Sequence, residues 1–120
     1  MLYYLSKIML ITLTLFATNS EATDIKTDNN TLKKASESRV EQVYQIRPKH
    51  LNGVGRLFGG RLMEWIDEVA GLVGIRHSQC NVITASVDNL KFIRGVFQND
   101  LDVLIGNVTY VGNTSMEIRV

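Results

Sequence analysis

The chain has 120 residues, 45% of them hydrophobic, 21% charged and 8% aromatic, with a formal net charge of +1. That length holds one small domain, and the near-neutral balance gives no global argument for a nucleic-acid or membrane partner. The single cysteine, Cys80, has no internal disulfide partner, and with two histidines it shows no metal-ligand spacing, so neither a metal nor another cofactor is implied.

In chain order, residues 1–22 come first and differ in kind from the rest. Lys7 precedes the apolar run Ile8 to Ala17, and Ser20-Glu21-Ala22 follows. This is the layout of a short secretory signal or membrane anchor, although Tyr3 and Tyr4 ahead of the lysine are atypical. The alternative is an unstructured start. The run is shorter than the roughly 20 apolar residues a membrane-spanning helix needs. Residues 23–38, "TDIKTDNNTLKKASES", hold few large apolar side chains and read as a flexible linker.

The candidate domain runs over 39–120. "VEQVYQI", 40–46, suits a half-buried strand, which Pro48 stops by lacking an N–H for the ladder. Residues 49–58 read as a loop. From Gly60 to Arg76 the period changes: Leu62, Ile66, Val69 and Val73 form a helical stripe, with Arg61, Glu64 and Glu68 opposite and Arg76-His77 at the end. Strand candidates follow at 81–93, 101–111 and 114–120, with Gly112-Asn113 as a hairpin turn. One long helix with an antiparallel sheet is an α+β layer arrangement. One helix covers one face of such a sheet, so the remaining surface is expected to meet another subunit. The chain stops at Val120 inside a strand pattern, which reads as a domain incomplete at its C-terminus.

Two features of the helix point to chemistry. Asp67 falls on the flank between the apolar and charged sides, near Met63, Ala70, Gly71 and Gly74. A carboxylate among small and apolar neighbours suits a base or nucleophile; the structural alternative is an aspartate at the edge of a subunit contact. The Gly59-Gly60 pair leaves the first helical N–H groups unshielded for a carbonyl oxygen or anion, or else merely permits a tight entry and close packing. Trp65 and Phe58 either line a binding tunnel or pack in the core. Asp88 reads as a structural polar residue of its strand.

"LNGVGRLFGGRLMEWIDEVAGLVGIRH" followed by "VITASVDNLKFIRGV" resembles the hot-dog-fold acyl-CoA thioesterases. The resemblance covers 39–120 and rests on two separate motifs in the right order. It implies a hot-dog fold, one long helix wrapped by an antiparallel sheet, and hydrolysis of acyl-CoA to free acid and coenzyme A. Asp67 stands at the catalytic aspartate, activating water or attacking the carbonyl itself. Gly60 stands where a backbone N–H polarises the thioester carbonyl. Family members carry Asn or Asp two residues before the Phe-Gly-Gly; here that residue is Arg56, and Asn52 takes over only if the loop folds back. Gly59 and Phe58 belong to the same substrate-binding stretch. Lys91 and Arg94 resemble the border of the nucleotide, with Arg76 and His77 as further candidates for its phosphates.

The resemblance also implies a homo-oligomer of at least two copies, with active sites between subunits, in the cytoplasm where acyl-CoA is found. Residues 1–22 argue instead for export or anchoring, and a membrane partner follows only if they are an anchor. Two other activities stay open at this point. One is a non-catalytic acyl-CoA-binding module or inactive fragment. The other is a dehydratase acting on acyl carrier protein, for which His50 lacks the expected setting.

Overall fold

The longest apolar periodicity folds as one 20-residue helix, α1 (Gly59–Ser78), slightly longer at both ends than the spacing predicts. The computed structural model describes residues 12–17, 33–88 and 90–120. Phe58, in extended conformation, precedes α1 without a side-chain cap. Gln79 ends it in the left-handed region (φ 59°), its N–H donating to the Ile75 carbonyl at 2.8 Å. Arg76 and His77 sit in the last turn, where positive charge complements the helix dipole.

The buried face of α1 comprises Trp65, Ile66, Val69, Ala70, Val73 and Gly74. The predicted stripe therefore points inward, with Leu62 partly buried at its end. Trp65 packs: its ring stacks on that of Tyr44, with centroids 4.2 Å apart and planes 9° apart. Ala70 and Gly74, expected beside Asp67, belong to this buried face instead. Each fully buried valine or isoleucine here contributes roughly 1.5–3 kcal/mol through its removal from water.

Among the described residues five antiparallel strands form the sheet: β1 (Thr12–Ala17), β2 (Val40–Gln45), β3 (Val82–Asp88), β4 (Leu101–Val111) and β5 (Ser115–Arg119). Their spatial order is β2-β4-β5-β1-β3, so β2 and β3 are free edges and the sheet is open. Helix α1 lies on one face and touches all five strands. Along β4, Leu104, Gly106 and Val108 face inward while Val103 and Ile105 are exposed, the alternation of a strand with one buried side. Met116 and Ile118 of β5 complete the core. The predicted hairpin joins β4 to β5 through 112–114, with the Gly112 N–H donating to the Ser115 carbonyl at 2.8 Å.

Three expectations change. Strand β3 stops at Asp88 rather than 93, and residues 90–96 are irregular; their end meets the 47–58 loop, where the Leu57 N–H donates to the Val96 carbonyl at 2.7 Å and Arg56 bridges to Phe97. The end of the expected linker, Ala35–Ser38, is a 3-10 turn whose Ser38 is fully buried, with its hydroxyl 2.9 Å from His77 Nδ1. Residues 12–17, in the apolar run read as a targeting segment, are a strand inside the sheet. The flanks of that run, 1–11 and 18–22, and the linker as far as residue 32 lie outside the described residues. Among the described residues no helix is long and apolar enough to cross a membrane.

Gly106 fixes the spacing between helix and sheet. A Cβ there would lie 2.7 Å from Val73 Cγ2 and 2.9 Å from Val69 Cγ1, and both valines are fully buried. Gly106→Ala is therefore expected to cost about 1–3 kcal/mol through overpacking, measured as a lower urea midpoint. An unchanged midpoint would mean that α1 lifts off β4 freely.

At the end of the same inward row, Asp102 has its pKa raised by burial and, second, by the charge of Asp100. A carboxyl with a raised folded-state pKa is at its least costly when protonated. Its burden is absent below the ordinary carboxylate range and grows as pH rises through the raised value. Asp102→Asn is thus expected to raise the unfolding midpoint at neutral pH and to leave it unchanged in acid. A gain of equal size at both pH values would trace to something other than this charge.

Candidate active site

The loop before α1 folds back on itself. Pro48–His50 makes a 3-10 turn, and Leu51 bridges to Leu57. The Asn52 N–H donates to the Arg56 carbonyl at 2.7 Å, and the Gly55 N–H to the Asn52 carbonyl at 3.1 Å. Gly55 takes a positive φ of 75°, which glycine adopts without the Cβ penalty of other residues. Asn52 Oδ1 accepts from the N–H groups of Val54 and Arg56, both at 3.1 Å. Those two donors orient the amide and leave its NH₂ group as the outward donor. The loop that carries Asn52 thus folds back on itself.

His50 is held differently. Its Nδ1 accepts from the Arg47 N–H at 3.1 Å, and its ring meets Trp65 edge-on. Desolvation first, then the charges of Lys49, Arg61 and Arg47, lower its pKa. It props the loop rather than facing a cleft. Tyr44, on the far side of Trp65, has its pKa pushed up to about 12 by burial and by its hydrogen bond to Glu68 at 3.0 Å.

A cleft of about 380 Å³ opens beside the loop, and its lining includes Asn52, Arg56, Gly59, Phe92 and Arg94. Two guanidinium groups at one mouth suit phosphate, which arginine binds in a fork. Arg56 also lies over the Phe97 ring, 5.9 Å from its centroid. Lys91 is exposed and lies outside this lining. Arg76 and His77 are about 25 Å along α1 from Gly59 and are engaged there, Arg76 with the Arg39 carbonyl at 2.7 Å and His77 with Ser38. They are not part of this cleft.

The glycine pair permits a tight entry into α1 under close ring packing. The Phe58 carbonyl takes the N–H groups of Arg61 at 3.0 Å and Leu62 at 3.2 Å, so the amides of Gly59 and Gly60 stand ahead of the helical ladder. Aromatic rings also press close. A Cβ on Gly60 would come 2.5 Å from the Phe58 ring, and one on Gly59 would come 3.2 Å from the Phe92 ring.

Seven residues further along α1, the Asp67 carboxylate is exposed at the surface of the single chain. Its Oδ1 accepts from the hydroxyl of Thr84 on β3 at 2.5 Å. One turn before it on α1, Met63 exposes apolar surface, and a Cβ on Gly71, one turn after it, would meet nothing within 4 Å. Thr84 was not singled out by the sequence reading, although it lies in the quoted "VITASVD". The available signal was the run Thr84, Ser86 and Asp88 at alternate positions, a polar strand face. The structure thus forms two clusters, Asn52 with the cleft arginines and the helix start, and Asp67 with Thr84.

The Thioesterase superfamily model matches residues 54–120. An uncharacterized acyl-CoA thioester hydrolase of Bacillus subtilis is 38% identical over 84 residues, covering 70% of this chain and 49% of the relative. An acyl-CoA hydrolase of Staphylococcus aureus in complex with butyryl coenzyme A, coenzyme A and coenzyme A disulfide superposes with a TM-score of 0.70 at 35% identity, covering 72% of this chain and 52% of that one. A hexameric acyl-CoA thioesterase superposes with a TM-score of 0.70 at 36% identity, over 72% and 55% of the two chains. The S. aureus enzyme is also known with alanine in place of an asparagine, of an aspartate 15 residues later, and of a threonine 17 residues beyond that. The chain spans about half the length of these proteins. Sequence match and superposed fold agree, and the chain belongs to the hot-dog acyl-CoA thioesterases of the thioesterase superfamily.

Proposed function

We propose that this chain hydrolyses acyl-CoA thioesters to the free acid and coenzyme A. The observation that carries the reading is the Thr84–Asp67 hydrogen bond, in a chain where Asn52, Asp67 and Thr84 keep the spacing of the three residues replaced in the S. aureus enzyme. Thr84 fixes one carboxylate oxygen of Asp67 and leaves the other for chemistry. That oxygen takes a proton from an attacking water and the C–S bond then breaks, the departing coenzyme A thiolate taking that proton. In the other route the oxygen itself attacks the thioester carbon and expels the thiolate to give a mixed anhydride, which water opens to the free acid and the Asp67 carboxylate. In both routes the Asn52 NH₂ and the Gly60 N–H stabilise the developing oxyanion. Arg56 and Arg94, at the cleft, receive the phosphates of coenzyme A, with Gly59, Phe58 and Lys91 bordering the substrate.

The site is completed by a second copy. Gly60 and Asp67 are two helical turns apart, about 10 Å along the axis. A carbonyl being attacked needs its donors and its attacking oxygen within about 3 Å. Asp67 of one copy therefore works with Asn52 and Gly60 of another. Exposed Ile83 and Val87 on the free edge strand β3, with exposed Phe92 and Ile93 near the cleft, provide the surface for that contact. The enzyme acts in the cytoplasm, where its substrate is found.

Release of coenzyme A thiol from short- and long-chain acyl-CoA, measured on the oligomeric full chain, tests the proposal. Stoichiometric thiol and acid are expected, with rates that depend on acyl length. Saturable binding without release would identify an acyl-CoA-binding module instead.

A further inference from the structure

Strand β3 carries Thr84, and among the described residues its one sheet neighbour is β1. The register runs from Thr12↔Asp88 to Ala17↔Val82. On its other side β1 pairs with β5, from Leu13↔Ile118 to Phe16↔Ser115. Strands β3 and β5 do not pair with each other, so β1 alone joins β3 to the rest of the sheet. Leu15 stands opposite Thr84. The next pair is Thr14↔Ser86, which leaves Ala85 as an extra residue directly after Thr84. A bulge of this kind bends the strand and re-aims its side chains.

We propose that residues 12–17 are a positioning strand for the acyl-CoA site, a separable insert that sets the register of β3 and so aims Thr84 at Asp67. This inference rests on the catalytic reading of Asp67 and Thr84 given above. Withdrawal of β1 leaves β3 held only by its packing on α1, and the carboxylate loses its fixed partner. The described lining of the cleft comes from the 47–58 loop, the start of α1 and 92–96. Strand withdrawal therefore acts on the chemical step and spares coenzyme A binding.

A second consequence concerns the apolar run Ile8 to Ala17. A backbone paired on both sides in a sheet is not available to a membrane or a translocation channel. Insertion of β1 and use of the run as a targeting segment exclude each other. The competent enzyme is the form that keeps residues 12–17 folded into its own sheet.

Two measurements on the full chain test this. In the first, Ala17→Cys and Val82→Cys, paired across the two strands, are combined with Cys80→Ser and mildly oxidised; adjacent antiparallel positions lie within disulfide reach. An intrachain disulfide is expected, with turnover within about twofold of the reduced protein, because the link holds the strand where it already lies. Absence of the link, or a link formed only between chains, overturns the proposal. In the second, Leu15→Pro removes a ladder N–H from β1. Exchange of the 82–88 amides is expected to quicken about a hundredfold, and kcat to fall about tenfold or more with KM within about twofold, the pattern of a lost transition-state contact. Unchanged exchange and kcat overturn the proposal. Should the full chain hydrolyse no acyl-CoA, the catalytic reading fails, while the disulfide and the exchange still decide where the strand lies.

Discussion

Asp67→Asn is expected to lower release of coenzyme A by about a thousandfold or more, with the unfolding midpoint almost unchanged. The asparagine fills the same volume and its carbonyl oxygen still accepts from Thr84. It has no charge and neither takes a proton from water at neutral pH nor forms an anhydride. Every route in which this side chain supplies or activates the attacking oxygen is closed, and general-base assistance alone is worth about 10²–10⁴ in rate. The stability cost is small because Asp67 is exposed in the single chain and makes no ion pair among the described residues; substitutions at such positions stay within about 0.5 kcal/mol. Thiol release under saturating acyl-CoA, with a thermal melt on the same sample, checks both halves of the expectation. A variant that keeps a tenth or more of the rate would remove Asp67 from the chemistry and leave it a structural partner of Thr84.

What the sequence disclosed follows the range of the interaction behind each feature. The inward stripe of α1 repeats every three or four residues, so local periodicity found Ile66, Val69 and Val73. Asp67 stood out because its helical flank is set by the same periodicity. The turn around Asn52 is also local, closed by hydrogen bonds two to four residues apart, but closure there needs Gly55 at positive φ, and the loop is tied to Val96 and Phe97 about 40 residues on, which glycine content alone does not fix. Thr84 was missed because its partner lies 17 residues away across a helix-to-strand packing contact. Strand β1 was missed for a different reason. A short apolar run bounded by polar chain looks alike in a targeting segment and in a strand paired on both sides, and only the slot between β5 and β3 distinguishes them. Arg76 and His77, offered by charge alone, proved to be 3-10-turn and chain anchors at the other end of α1.

Asn52→Asp separates two roles that Asn52→Ala would remove together. Aspartate keeps the oxygen that accepts from Val54 and Arg56, so the loop retains its turn. It exchanges the outward NH₂ for a second carboxylate oxygen, which faces a developing oxyanion with negative charge. A fall in kcat of about a hundredfold or more is expected, the size of a lost oxyanion donor, with little loss of stability. A rate close to that of the unaltered protein would confine Asn52 to loop closure. The same variant locates the site. If Asp67 of one copy serves Asn52 of another, a subunit bearing Asp67→Asn and a subunit bearing Asn52→Asp together form one intact site and one doubly altered site. Equal mixing with free exchange pairs unlike subunits half the time, so about a quarter of full activity returns from two inactive proteins. If both residues act within one chain, each chain carries a defect and mixing restores nothing. The recovered fraction therefore reads directly whether the 10 Å that α1 places between its first amides and its carboxylate, about two turns of helix, is bridged by a second copy.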